Sequence, residues 1–225
     1  MKKSKAILMA LCAVLLVAAS VMGTLAYLTS TDTVTNTFTV GKVAIKLDEA
    51  KVDANGTPLE GAARVQSNDY KLMPGHTYTK DPTVHVKADS EPSYIRMLVT
   101  VSDITKLAAA FPVEKYPEFY SGNDSGNVFL LEKLVGNWDS SVWACNSVSG
   151  NVYEFRYAAG AYTVPTTTDE YVALPALFKT ITIPGTVDAA ALANLDQVKI
   201  TVVAQAIQAD GFDDADEAWT AFKNA

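Results

Sequence analysis

Histidine, cysteine and the short motifs of catalysis are scarce in this sequence. Its 225 residues hold two histidines, His76 and His85, and two cysteines, Cys12 and Cys145. No HExxH pair occurs, which removes the commonest helical zinc-protease constellation. No GxSxG occurs; Gly122-Asn123-Asp124-Ser125-Gly126 has the wrong spacing for a nucleophile elbow. Phosphate loops and dinucleotide fingerprints are missing too. Leu174-Pro175-Ala176-Leu177 does not match an LPxTG wall-sorting signal, and no apolar tail follows it. His76 beside the Pro74-Gly75 turn and His85 in a strand-like run read as surface or edge histidines, with a metal pair as the alternative. The expectation is a chain with no catalytic, metal-ligating or cofactor-binding residue.

Disulfides are equally scarce, and acidic residues outnumber basic ones, 25 to 18. Cys12 falls in the N-terminal apolar stretch. It sits too early for lipidation, and Leu11 is too large to precede a lipidated cysteine. Cys145 is then alone in the mature chain, so no intramolecular disulfide is available. A buried apolar thiol is expected, with an intermolecular disulfide as the alternative. The net charge is −7, and losing the three N-terminal lysines would take it to −10. That balance argues against nucleic acid or an anionic membrane surface as partner. Trp138, Trp143 and Trp219 are not interleaved with basic residues, so core and interface roles are expected of them.

What is present begins with an export signal. Lys2, Lys3 and Lys5 precede an uncharged apolar run from Ala6 to Gly23, and Thr24-Leu25-Ala26 places small residues at −3 and −1. Cleavage after Ala26 is predicted, leaving Tyr27 as the new N-terminus and residues 27–225 as one domain. An uncleaved membrane anchor is the alternative. Contact with a membrane is expected only through this segment.

From Thr33 to Val40 the residues alternate, with Val34, Phe38 and Val40 on the apolar side and threonines opposite. Period two means a strand with one wet and one buried face. At Gly41 the parity resets, and Val43, Ile45 and Leu47 take the apolar positions, so Gly41 reads as a bend or hinge. Residues 48–69 are polar and turn-rich. Short strands are predicted over 70–73, 83–87, 171–174 and 177–183. The clearest inner strand runs over 93–101 with Ile95, Met97, Val99 and Val101 inward. A hairpin is predicted from 142–148 and 152–157 around Ser149-Gly150-Asn151, and a long strand over 198–208. Short helices are predicted after Asp103, over 188–195 and over 213–222. Residues 116–127 read as a loop, and 128–135 fit helix and strand equally. The rhythm contains no βαβ unit, which makes the fold class all-β: an antiparallel jelly-roll-like β-sandwich with a few short helical insertions.

Asp210, Asp213, Asp214, Asp216 and Glu217 form an acidic cluster without EF-hand spacing. First-turn acidic residues complement a helix dipole, and that reading is preferred to calcium.

The N-terminal stretch GTLAYLTSTDTVTNTFTVGKVAIKLDE, residues 23–49, resembles the start of proteins processed by SipW-type signal peptidases in Gram-positive bacteria, the TasA and camelysin-like family. Met73-Pro74-Gly75, Lys80-Asp81-Pro82-Thr83-Val84 and Tyr94-Ile95-Arg96 are similar to that family's central pattern. The stretch Gln205 to Phe212, with Ala218-Trp219, resembles its C-terminal end. Residues 102–170 carry no such likeness. The resemblance implies secretion, a jelly-roll sandwich, and self-association into biofilm-matrix or surface filaments. In such filaments the N-terminal strand of one subunit completes the next; here that donor is residues 27–41, with Val34, Phe38 and Val40 as its buried side and Gly41 as the hinge. Camelysin-like members imply a cell-surface metallo-endopeptidase as the alternative, but this chain supplies no recognisable zinc ligand set. A non-polymerising adhesin is the third reading.

Overall fold

The computed structural model describes residues 41–223, apart from 124, 125, 130 and 168, together with 5 and 11–13. The chain divides into two compact units, Met1–Val40 and Gly41–Ala225. The second contains β1 (Ile45–Asp48), β2 (Thr77–Thr79), β3 (Thr83–Lys87), β4 (Ser93–Val101), α1 (Ile104–Ala110), β5 (Tyr120–Asn123), β6 (Gly126–Phe129), β7 (Val135–Gly136), β8 (Trp143–Ser149), β9 (Val152–Tyr157), β10 (Tyr171–Ala173), β11 (Thr180–Thr182), α2 (Ala189–Ala193), β12 (Ile200–Gln208) and α3 (Ala215–Lys223). The strands form sheets ordered β12-β4-β9-β8, β1-β3-β10, β2-β11-β7 and β5-β6. Every pairing is antiparallel. The fold is all-β with a few short helices.

The alternation of β4 organises the core. Ile95, Met97, Val99 and Val101 are essentially inaccessible. Directly opposite them stand Phe155 and Tyr153 on β9, and Ala204 and Val202 on β12. Val84 and Val86 of β3 and Trp143 of β8 join the same core. Each fully buried aliphatic or aromatic side chain contributes about 1.5–3 kcal/mol.

The helices start where side-chain oxygens can satisfy free N–H groups. Asp103 accepts from Lys106 N at 2.9 Å before α1, and Asp188 accepts from Ala191 N at 2.8 Å before α2. At α3, Asp214 caps the first turn by accepting from Glu217 N at 2.9 Å, and Glu217 reaches back to accept from Asp213 N, one residue before the cap, at 2.8 Å. Two members of the acidic cluster therefore hold the start of a helix. α3 lays Trp219 over the outer face of β4, where Arg96 is buried with its guanidinium 4.1 Å from the indole centre. Arg96 donates to Gln205 at 2.8 Å and lies 3.6 Å from Glu154.

Three sequence expectations need correction. Residues 70–73 form no strand; the strand is β2, at Thr77–Thr79. The phenol of Tyr78 takes the place of a ladder partner, accepting from Met73 N at 2.7 Å and donating to Lys71 O at 2.8 Å. Residues 116–127 are not a plain loop. They hold a 3-10 turn at Pro117–Phe119 and enter the β5–β6 hairpin, where Phe111 packs edge-on against Tyr116 and Phe119, Tyr116 stacks on Phe119, and Phe129 lies tilted against Phe119. Cys145 is exposed. It opposes Phe155 in β9, next to the register slip between Cys145 and Ser147.

Candidate functional site

Among the described residues, β1 and β12 are each the outermost strand of their sheet. They come within 8 Å of one another, Cα to Cα, yet share no ladder among the described residues. Where they part, a cleft of about 1500 Å³ opens. Ile45 and Leu47 line it from β1, Ile200 and Val202 from β12, and Leu192 and Leu195 from α2 and its end. Tyr70 and Leu72 from the polar excursion after β1 also line it.

The hydrogen-bond parity of β12 follows from its two ends. Ser102 N donates to Lys199 O at 2.9 Å, and Ala209 N donates to Pro92 O at 2.8 Å. The register Ile200↔Val101 through Gln208↔Ser93 has no slip. In an antiparallel pair, hydrogen-bonded and non-bonded positions alternate. Thr201, Val203, Gln205 and Ile207 therefore point their backbone groups at β4. Ile200, Val202, Ala204 and Ala206 point theirs away from it, at the outer edge of the sheet formed by the described residues. The side chains of these four pack against the core.

One end of the cleft is polar. Glu49 and Lys80 are buried there, with Lys80 Nζ 2.6 Å from Glu49 Oε2. Asn68 Nδ2 donates to Glu49 Oε1 and to Ala50 O, each at 2.9 Å, and Asn68 Oδ1 accepts from Val52 N at 3.0 Å. Tyr70 donates to Thr79 O at 3.0 Å. Burial pushes its phenol well above its ordinary pKa, and the Glu49 charge adds to that, so it stays a neutral donor.

Just outside this end, Arg64 holds the excursion against β1. It donates to Asp48, to Asp81 at 2.9 Å and to Thr83 at 3.0 Å. Asp48 also meets His85 Nε2 at 2.8 Å. Burial alone raises the Asp48 carboxyl, but the hydrogen bonds from Arg64 and His85 outweigh it and hold the pKa below the usual carboxylate value.

Of the residues singled out from the sequence, Ala26, Tyr27, Val34, Phe38 and Val40 lie outside the described residues. Gly41 is exposed, and a Cβ there would come 2.9 Å from Glu91 Cγ. His85 is not an edge histidine. Its strand is the middle one of β1-β3-β10, and its side chain is only 14% exposed. His76 sits apart from it, with Nε2 2.9 Å from Asn55 O. Asp216 pairs with Arg156. No group of three His, Cys, Asp or Glu side chains among the described residues is placed to hold a metal. No helix among them is long and apolar enough to cross a membrane.

The sequence reading missed Glu49, Asn68 and Lys80. They are 31 and 19 residues apart along the chain, so no spacing motif links them. A signal was present all the same. Glu49 continues the inward parity of Ile45 and Leu47, which puts a carboxylate on the buried side of a strand. Compared with family models, curated proteins and solved structures, the chain matches none of them.

Proposed function

We propose that this chain is a secreted structural subunit of a TasA-like surface or matrix fibre, released by a SipW-type signal peptidase and assembled by donation of its N-terminal strand. The fold we assign to it is a jelly-roll-like sandwich left one strand short. The occupant of the cleft is residues 27–40 of a second copy.

The supporting observation is the straight, outermost β12 bordering an apolar cleft. Thr33 to Val40 is eight residues, about 27 Å as a strand, and β12 offers nine residues of edge. The alternation suits the site: Val34, Phe38 and Val40 face the cleft while the threonines stay wet. Backbone pairing gives affinity, and the alternating side chains set register. Each copy gives from one surface and receives on another, a heterologous contact that builds open filaments. Gly41 is the hinge between the donated strand and β1.

The test is electron microscopy of purified protein beginning at Tyr27, with and without Phe38→Asp. Burying Phe38 is worth about 1.5–3 kcal/mol, and a carboxylate in its place adds a desolvation cost. Filaments from the parent and folded monomers from the variant are expected. Filaments from both would refute donation, and a variant that unfolds would assign the strand to its own core.

A further inference from the structure

The buried end of the cleft holds an amine, a carboxamide and a carboxylate in one hydrogen-bonded chain. Lys80 Nζ lies 2.6 Å from Glu49 Oε2, and Asn68 Nδ2 lies 2.9 Å from Glu49 Oε1. Lys80 is 9% exposed and Glu49 is 5% exposed. A buried ion pair has to recover the cost of taking two charges out of water. Here the Glu49 carboxylate bridges the amine and the amide, one oxygen to Lys80 Nζ and the other to Asn68 Nδ2.

We propose that Lys80 and Asn68 are the reactants of a self-catalysed isopeptide bond, with Glu49 as its acid–base catalyst. One proton moves from Lys80 Nζ to Glu49 Oε2 along the 2.6 Å contact, which leaves a nucleophilic amine and a neutral acid. The amine lone pair attacks Cγ of Asn68. The carbonyl π electrons move onto Oδ1, where the Val52 N–H, 3.0 Å away, receives the developing negative charge. Glu49 gives its proton to Nδ2 through the 2.9 Å contact and takes one back from Nζ. The Cγ–Nδ2 bond then breaks, the electron pair leaves with nitrogen, and ammonia departs. A Cγ–Nζ amide remains. Ammonia takes up the proton left on Glu49, so charge balances with no oxidant, metal or cofactor.

The amide oxygen and nitrogen of Asn68 are assigned by their partners. Nδ2 meets two acceptors, Glu49 Oε1 and Ala50 O, while Oδ1 meets one donor, Val52 N. The leaving nitrogen therefore faces the acid, and the oxygen faces an N–H. The burial of Lys80 and Glu49 favours the chemistry as well, because it limits the water that would otherwise solvate the amine.

Intact-mass spectrometry of the purified folded protein tests this. The wild-type chain is expected to be lighter than its sequence by one ammonia, about 17 Da. After trypsin, residues 65–71 and 72–87 should appear as one branched peptide, because an acylated Lys80 is not cut. Glu49→Gln should remain at full mass and release 72–80 as a separate peptide. Asn68→Asp should lose water in place of ammonia and give the same branched product. A folded wild-type protein at full mass, releasing 72–80 separately, would overturn the proposal, whatever the variants do. So would a branched peptide that survives in Glu49→Gln.

Discussion

The four-stranded sheet ends in two very different edges. β8 begins in register with β9 but slips between Cys145 and Ser147, which leaves Asn146 as an extra residue. A bulge bends and twists a strand and spoils it as a template for another chain. β12 has no such interruption: nine residues pair with β4 without a slip. The same sheet thus blunts one edge and keeps the other straight, and the straight one borders the apolar cleft. The difference separates an edge interrupted by a bulge from one that pairs along its whole length.

Breaking the straight edge should have the largest effect. Ala204 turns its N–H away from β4, so Ala204→Pro removes an outward donor and spares the β4–β12 ladder. A lost backbone hydrogen bond and a ring in the path of the incoming strand should weaken assembly by about tenfold or more, about 1.4 kcal/mol. Sedimentation would read that loss, and the thermal midpoint should hardly move. If filament yield is unchanged, β12 is not the acceptor.

Straightening the bulged edge should act in the opposite direction and less strongly. Deleting Asn146 keeps every other β8–β9 partner opposite its present one and removes the bend. Light scattering should then show a new, irregular association that does not depend on residues 27–40. A variant that scatters like the parent would mean the bulge does not protect β8.

The smallest effect concerns the other rim of the cleft. Asp48 closes β1, and its carboxyl is held below the ordinary value by Arg64 and His85 against the opposing pull of burial. Asp81, also held by Arg64, faces the same cluster. A depressed carboxylate contributes stability that is whole above the unfolded pKa, about 4, and is lost as pH falls through the lower folded value. The group is partly solvated, so about 1 kcal/mol or less is expected. The wild-type melting midpoint should exceed that of Asp48→Asn at pH 6 and converge with it at pH 2.5. A constant gap across that range would remove Asp48 from the account of acid sensitivity.

The reach of the sequence can be judged strand by strand. β3 and β4 lie where alternation places them, at Thr83–Lys87 and Ser93–Val101, because both contribute to a core that rewards period two directly. The β8–β9 hairpin and the Asp103 and Asp188 caps were legible for the same local reason. Arg96 was not: it has outward parity on β4, and only α3, more than a hundred residues later, buries it. The strand predicted over 70–73 failed because Tyr78 supplies the bonds a ladder would have made. Residues 116–127 look like a loop until Phe111 and Phe129 give them something to pack on. Of the cleft, β1 and β12 were each legible as strands. Their standing as facing edges belongs to the topology, and no window of sequence contains it.

The shortness of β1 has a mechanical meaning for a fibre. In the fibre proposed above, a subunit donating its N-terminal strand would be pulled through residue 41, straight into β1. That strand is tied to β3 by four opposed pairs, Ile45↔Val86 through Asp48↔Thr83. A pull along the strand loads those bonds in shear, so they share the force and do not open one at a time. Once they yield, tension passes through Glu49 and the excursion to Asn68. If Asn68 is joined to Lys80, the force crosses that bond directly and bypasses residues 69–79, β2 among them. Those eleven residues, about 40 Å of contour at full extension, could then not be drawn out. The filament would stretch by one short segment per subunit and stop.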